Sequence, residues 1–353
     1  MDRHRIAEAR KRALSWLDTQ RRSDGSFSAG KDNLRCYLKT PLAYLMGGDP
    51  YSAHDLLTIL KDRYLTPEGD FRTGERKYTS DAFNLRAERN YYLYGNGWAT
   101  VSAHVNNRFE ISYPALEYVL KCQDVQTGGF YSRRIDDDVE GMRREDVAST
   151  SSCGYALLCT GRLTEARKAG DFFIRLRELQ PHAEAFYLSY KQGEGLHTAF
   201  PDDEAGFNMV DRKKSKQSYW HLAYASAFLG KLFLACADKR YLAAASNYFD
   251  FISSCSEDRT SFFGYWKVGW AASLLYSMTG EESYRGAAET VVDRIARSQS
   301  PEGSWPLGKE IGLSDENDDL TIDVTSELVV WLTEIPRLLG MHTLNDRSGK
   351  HPR

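Results

Sequence analysis

The chain has 353 residues, with 46 Lys and Arg against 49 Asp and Glu, a formal charge of -3, and 42% hydrophobic residues. This is globular composition, and it lacks the basic field that would hold nucleic acid or an anionic membrane surface. The longest apolar runs, such as Leu328 to Leu332, fall far short of the roughly 20 residues that cross a bilayer, and the charged N-terminal stretch is unlike a signal peptide, so a cytoplasmic protein is expected.

Along the chain, half-polar helices are predicted over 3–20, 50–65, 110–123, 163–179, 239–255 and 282–299. Tyr284, Ala287, Ala288, Val291, Val292 and Ile295 show the pattern, an apolar stripe with Arg285, Glu289 and Asp293 between its members. Each is followed by a more apolar helix, over 33–47, 89–106, 145–160, 217–236, 262–279 and 318–339. The stretch from Phe262 to Met278, with Trp266, Trp270 and Leu274, leaves almost no polar face and is expected to be buried all round. A half-polar helix buries one stripe and an apolar one buries everything. Alternating pairs are therefore satisfied by an inner ring of apolar helices inside an outer ring: an all-α (α/α)6 toroid of six hairpins, taken as one domain over 1–340 with a tail at 341–353.

Four of the half-polar helices run into a Gly-x-aromatic turn, Gly25-Ser26-Phe27, Gly69-Asp70-Phe71, Gly128-Gly129-Phe130 and Gly303-Ser304-Trp305, three of them preceded by Gln20, Gln123 or Gln299. Locally each glycine reads as a left-handed helix terminator with the aromatic closing the hairpin; together they mark a repeated unit. The pattern resembles the six-hairpin glycosidases and the terpenoid-cyclase and protein-prenyltransferase toroids, and the Gln-to-aromatic turns resemble the QW motifs of squalene-type cyclases. The resemblance covers almost the whole chain and implies fold rather than chemistry.

Connections leaving the inner helices are short, whereas those entering them, 72–88, 131–145, 186–216 and 306–317, are long. One face therefore gathers the long loops and is expected to carry the site, with 186–216 as a lid. The inner-helix N-termini converge there too, which favours negative charge. Candidates to line a pocket are Arg35, Tyr37, Tyr91, Tyr94, Trp98, Tyr219, Trp220, Tyr265, Trp266, Trp270 and Trp331, aromatic walls that suit sugar rings, a folded polyene or cationic character. Asp319, Asp323, Glu327 and Trp331 recur every four residues on the last inner helix. Asp319 suits a helix N-terminus; Asp323 and Glu327 sit deeper, where buried carboxyls without partners have raised pKa values and serve as general acids. The competing role is a core ion pair with Arg35, His221 or Lys267. Asp146, beside Glu145, and His221 open two other inner helices and complete the catalytic candidates, while Asp136-Asp137-Asp138 reads as a solvated loop.

Six cysteines lie in apolar patterns without zinc spacing and read as buried free thiols. Asp318, Asp319 and Asp323 only approach an aspartate-rich magnesium motif. Neither Asp136-Asp137-Asp138 nor Asp315-Glu316-Asn317-Asp318 forms the D-x-D-D of squalene-type cyclases. No phosphate loop or dinucleotide fingerprint is present. No metal and no cofactor is expected, and the partner is a small-molecule substrate, with the oligomeric state left open. The favoured activity is a cofactor-independent cyclase or isomerase, pericyclic chemistry included, that folds a hydrophobic natural-product precursor in the aromatic cavity. The alternatives are a glycoside or uronyl-sugar hydrolase drawing paired acids from Asp146, Asp323 and Glu327, and a non-catalytic binding toroid.

Overall fold

The computed structural model describes residues 1–28, 33–78, 82–137, 143–312 and 318–348. The helices are α1 (Arg3–Thr19), α2 (Arg35–Leu38), α3 (Thr40–Gly47), α4 (Pro50–Tyr64), α5 (Ala82–Asn90), α6 (Tyr94–Val105), α7 (Phe109–Lys121), α8 (Val147–Cys159), α9 (Leu163–Glu178), α10 (Ala205–Asn208), α11 (Trp220–Cys236), α12 (Lys239–Ser253), α13 (Tyr265–Thr279), α14 (Glu282–Arg297) and α15 (Asp318–Ser348). Five short strands accompany them: β1 (Arg144–Asp146), β2 (Ala185–Tyr187), β3 (Ser189–Lys191), β4 (Gly195–Leu196) and β5 (Met209–Asp211).

The half-polar segments α1, α4, α7, α9, α12 and α14 form the outer ring. The apolar segments α3, α6, α8, α11, α13 and α15 form the inner one, each packed on the next and α15 on α3, so the ring closes. The burial follows the sequence pattern: α14 buries the stripe Tyr284, Ala288, Val291, Val292 and Ile295, while every residue from Tyr265 to Tyr276 of α13 is buried. The fold is an (α/α)6 toroid. Among the described residues no helix is long and apolar enough to cross a membrane. All six cysteines are free; Cys159 and Cys236 are half-buried rather than buried.

The repeated turns hold the rings in register. Gly25, Gly69, Gly128 and Gly303 take positive φ values of 83, 93, 82 and 107°, and the aromatics that follow them, Phe27, Phe71, Phe130 and Trp305, are buried. A Cβ on Gly69, Gly128 or Gly303 would lie 2.0, 2.2 or 2.6 Å from the carbonyl oxygen of Pro114, Lys168 or Arg12 on the next outer helix. Only glycine allows that approach. Gln123 Nε2 donates to the carbonyls of Gly128 and Glu165, both at 2.9 Å. Gln299 Nε2 repeats this with Gly303 at 2.8 Å and Ala9 at 2.7 Å, tying the last hairpin to the first helix. Gln20 does not share the role, donating instead to Thr19 Oγ1 at 2.9 Å.

Three inner segments depart from the expected single helices. The first breaks at Lys39, between α2 and α3, because Pro41 has no N–H to donate to the Tyr37 carbonyl; Thr40 Oγ1 bonds the Cys36 carbonyl at 2.6 Å instead. The second is split between α5 and α6, and the third is entered through β1, whose Glu145 and Asp146 pair with Tyr190 and Ser189 of β3. The long 186–216 segment is thus a folded flap, with β3 between β1 and β4, and β5 on β2. The last helix continues past 340 to Ser348.

Candidate active site

At the loop-bearing face, the first turns of the inner helices enclose two adjoining cavities. An inner chamber of about 50 Å³ is lined by Arg35, Leu38 and Lys39 of the first inner segment, Tyr78, Ala87, Tyr91, Tyr94, Trp220, Phe263, Gly264, Trp266, Lys267, and Leu320, Asp323, Val324 and Glu327 of α15. An outer vestibule of about 340 Å³ is lined by Arg86, Gly206, Phe207, Lys216, Ser218, His221, Phe262, Ile311 and Gly312. Tyr91, Trp220 and Phe263 belong to both walls and form the neck between them. Tyr91 packs edge-on against Trp220 at 5.8 Å and lies tilted against Phe207 of the flap at 5.9 Å.

The chamber ends on a buried cluster of charge. Lys39 Nζ lies 3.0 Å from Asp323 Oδ2 and 2.7 Å from Glu327 Oε2. Lys267 Nζ donates to the other oxygen of Glu327, which also accepts from Trp331 Nε1 at 3.1 Å. Around the two ammonium groups stand aromatic faces: Lys39 is 5.3 Å from the Tyr94 ring and 5.7 Å from Trp98. Lys267 is 5.3 Å from Trp220 and 5.6 Å from Trp266. Beneath the cluster, Trp270 stacks on Trp331 at 4.4 Å, and Trp98 and Tyr224 close the floor.

This arrangement reverses the protonation expected for Glu327. Burial by itself would raise its carboxyl, but Lys267 and Lys39 outweigh burial and hold it down at about 2. It is a fixed carboxylate, not a general acid. The proton of variable occupancy lies on Lys267, which burial pushes down to about 8, aided by the charge of Lys39 and opposed by Glu327. Lys39, with two carboxylates, goes the other way: burial lowers it, but Asp323 and Glu327 raise it above the usual lysine value. Of Arg35, His221 and Lys267, it is Lys267 that pairs with Glu327. Arg35 instead lies 3.9 Å from Asp319, which also accepts from Asn33, and its guanidinium faces the Tyr78 ring at 5.1 Å.

His221 stands in the vestibule wall, its ring stacked on Trp220 at 3.7 Å and its Nδ1 3.1 Å from the Ser218 carbonyl. Burial, with Lys267 adding to it, holds the imidazole at about 3, so it is neutral at physiological pH. Asp146 lines neither cavity; it caps α8, accepting from Ser149 N at 2.8 Å. Burial pushes its carboxyl up to about 6, and its Oδ2 has no hydrogen-bond partner. Glu145 is pushed up by burial to about 7, with Thr127 Oγ1 donating to it at 2.6 Å.

Three of the expected wall residues turn away from the lumen. Tyr37 packs on Phe27 and Tyr64 at 5.7 and 5.5 Å. Tyr219 bonds Asp258 at 2.8 Å, and Tyr265 reaches Ser298 at 3.4 Å. An inner helix buried all round has a face toward the outer ring as well as one toward the lumen, and hydrophobicity does not distinguish them. Trp98, Trp270 and Trp331 lie below the chamber, as packing under the ion cluster. Arg35, Tyr91, Tyr94, Trp220 and Trp266 do line the chamber. Lys39 joins the cluster without being among the expected residues, although it is a lone charge in the apolar run from Cys36 to Tyr44, the same signal that singles out Asp323 and Glu327.

A second buried pair is structural. Lys77 Nζ is shared by Asp70 at 2.9 Å, the Phe71 carbonyl at 2.9 Å and Asn96 at 2.6 Å, and Tyr92 donates to Asp70. Burial would raise the Asp70 carboxyl, but Lys77 and these donors bring it to about 2. The pair anchors a repeated turn to α6. Asp136 is exposed beside Arg134 at 3.2 Å; Asp138 and the 315–317 part of the acidic run before α15 lie outside the described residues. Among the described residues no group of three or more His, Cys, Asp or Glu is placed to hold a metal ion.

No family model matches the chain, and no curated protein does. Solved structures do, at low identity. A D-mannose isomerase superposes with a TM-score of 0.71 at 13% identity, over 94% of this chain and 97% of that one. A GH76 α-mannanase of Bacteroides thetaiotaomicron gives 0.62 at 12%, over 98% of both chains. A variant of the type II terpene cyclase MstE of Scytonema, in complex with its product merosterolic acid A, gives 0.57 at 13%, over 96% and 99%. These neighbours are enzymes of three kinds on one scaffold, and the chain shares their (α/α)6 toroid.

Proposed function

We propose that the chain is a cofactor-independent isomerase or cyclase that draws a mainly apolar precursor into the aromatic funnel and moves a proton at its polar head. The observation that carries the reading is the Lys267–Glu327 pair at the end of a chamber otherwise walled largely by aromatic and aliphatic side chains. A lysine at about 8 can give or take a proton near neutral pH, the condition for effective general acid–base catalysis. Lys39, kept charged by two carboxylates, supplies a fixed positive field for an oxyanion forming beside it. Tyr91, Trp220 and Phe263 at the neck restrict the conformations of a flexible chain and exclude water.

The test is to incubate candidate precursors with the protein in deuterated buffer. Wild type is expected to place solvent deuterium in the product, and Lys267→Met to lose about 10²–10⁴ in rate. Full turnover by Lys267→Met would overturn the reading. A glycoside hydrolase is the alternative: Asp146 has the raised carboxyl, at about 6, that a general acid needs, but it lies outside the walls of both cavities. Release of a sugar from aryl glycosides by wild type but not by Asp146→Asn would establish that alternative.

A further inference from the structure

The two buried lysines share one carboxylate but are not equivalent. Lys39 sits between Asp323 and Glu327 and is held by both. Lys267 has a single carboxylate oxygen, that of Glu327, with Lys39 on the opposite oxygen of the same group. Lys267 is therefore the ammonium with the weaker electrostatic hold, next to a second cation in a desolvated, aromatic-walled chamber that it lines. Burial and a neighbouring cation are the two conditions that turn a lysine into a nucleophile.

We propose that Lys267 captures aldehydes and ketones as an imine at the end of the chamber, which makes carbonyl compounds the substrate class. This deepens the isomerase reading and rests on it. The unprotonated Nζ adds to the carbonyl carbon, forming the C–N bond. The former carbonyl oxygen takes up both nitrogen protons and departs as water, leaving C=N in place of C=O. If the nitrogen enters as an ammonium, the same balance leaves a protonated imine and one water. Lys39 faces the developing oxygen charge, and Glu327 is the adjacent fixed carboxylate that holds Nζ in place. Asp323 Oδ1, which has no hydrogen-bond partner, is a second acceptor in the chamber. The imine then acts as the electron sink that lowers the barrier to proton removal from the adjacent carbon.

The experiment is reductive trapping, with butanal as a narrow probe and cyanoborohydride as reductant, followed by peptide mapping of the full-length protein. Lys267 is expected to carry a butyl group at substoichiometric aldehyde, before any surface lysine, and Lys267→Arg is expected to remove that one site. The pH midpoint of Lys267 labelling should move in Lys39→Met, because the repelling charge is gone; a surface lysine would show no such movement. Labelling confined to surface lysines in folded wild type, at every pH tested, would overturn the imine. This outcome is separate from the isomerase reading, which stands or falls on deuterium exchange: exchange without trapping leaves Lys267 as a proton carrier alone. Because the map is made on wild type, a variant that fails to fold does not spoil the test.

Discussion

Replacing Glu327 by Gln keeps the shape of the side chain and removes its charge. Lys39 would still have Asp323 at 3.0 Å, but Lys267 would lose its one ion-pair partner among the described residues. Both Lys267 and Glu327 are almost wholly inaccessible to bulk solvent, so the loss of the partner is poorly compensated. Removing one member of such a pair costs about 3–5 kcal/mol. With about 2.1 cal/mol/K of unfolding entropy per residue over 353 residues, that corresponds to a fall of ~4–7 °C in Tm. The pH dependence follows from linkage. In wild type, Glu327 has a folded value of about 2, below its ordinary 4.5, so its contribution is present above the ordinary value and is lost as pH falls toward 2. Lys267 has a folded value of about 8, below its ordinary 10.5, so its burial opposes folding below 8 and is relieved as pH rises toward 10.5. The gap between wild type and Glu327→Gln should therefore be widest between roughly pH 5 and 8 and narrow on both sides. Thermal unfolding followed by circular dichroism across that range is the assay. A neutral-pH shift below about 1 °C, or a gap of constant size at all pH values, would refute the account of the cluster.

The glutamines of the turns should separate by structure rather than by sequence. Gln299→Ala removes two partly buried hydrogen bonds and is expected to cost about 1–3 kcal/mol in denaturant unfolding, whereas Gln20→Ala should fall within about 0.5 kcal/mol; equal effects would show that ring closure does not depend on Gln299. Gly128→Ala, with φ at 82° and a backbone oxygen 2.2 Å from the new methyl, should destabilise more than Gly25→Ala, where the near atom at 3.2 Å belongs to the movable Arg21 side chain; the order of their melting temperatures decides. Once an activity is in hand, EDTA should leave it unchanged, and loss restored by magnesium would bring Asp318, Asp319 and Asp323 back as metal ligands.

Much of the architecture is legible in the residues taken in order. The 3.6-residue period of α14 and its absence in α13 distinguish outer from inner helix, since period and solvent exposure are set within each helix. The Gly-x-aromatic turns likewise announce themselves, because a left-handed glycine is a local requirement; the helices, however, end before them, at the caps Gln20, Leu65, Cys122 and Ser298, so each glycine shapes the turn rather than terminating the helix. Asp323 and Glu327 stand out for the same reason, as charges on an otherwise apolar stretch. What the order of residues does not contain is who meets whom across the lumen. Lys39 and Asp323 are 284 positions apart, and their encounter depends on α15 closing against the first inner helix. It is this closure that turns Glu327 from an expected acid into a fixed carboxylate and leaves the labile proton on Lys267. Tyr37, Tyr219 and Tyr265 show the same division, since their burial is a property of composition but their direction depends on which neighbour each helix packs against. A pKa is set by the charges and the loss of water around a group in space, and only the assembled ring determines those.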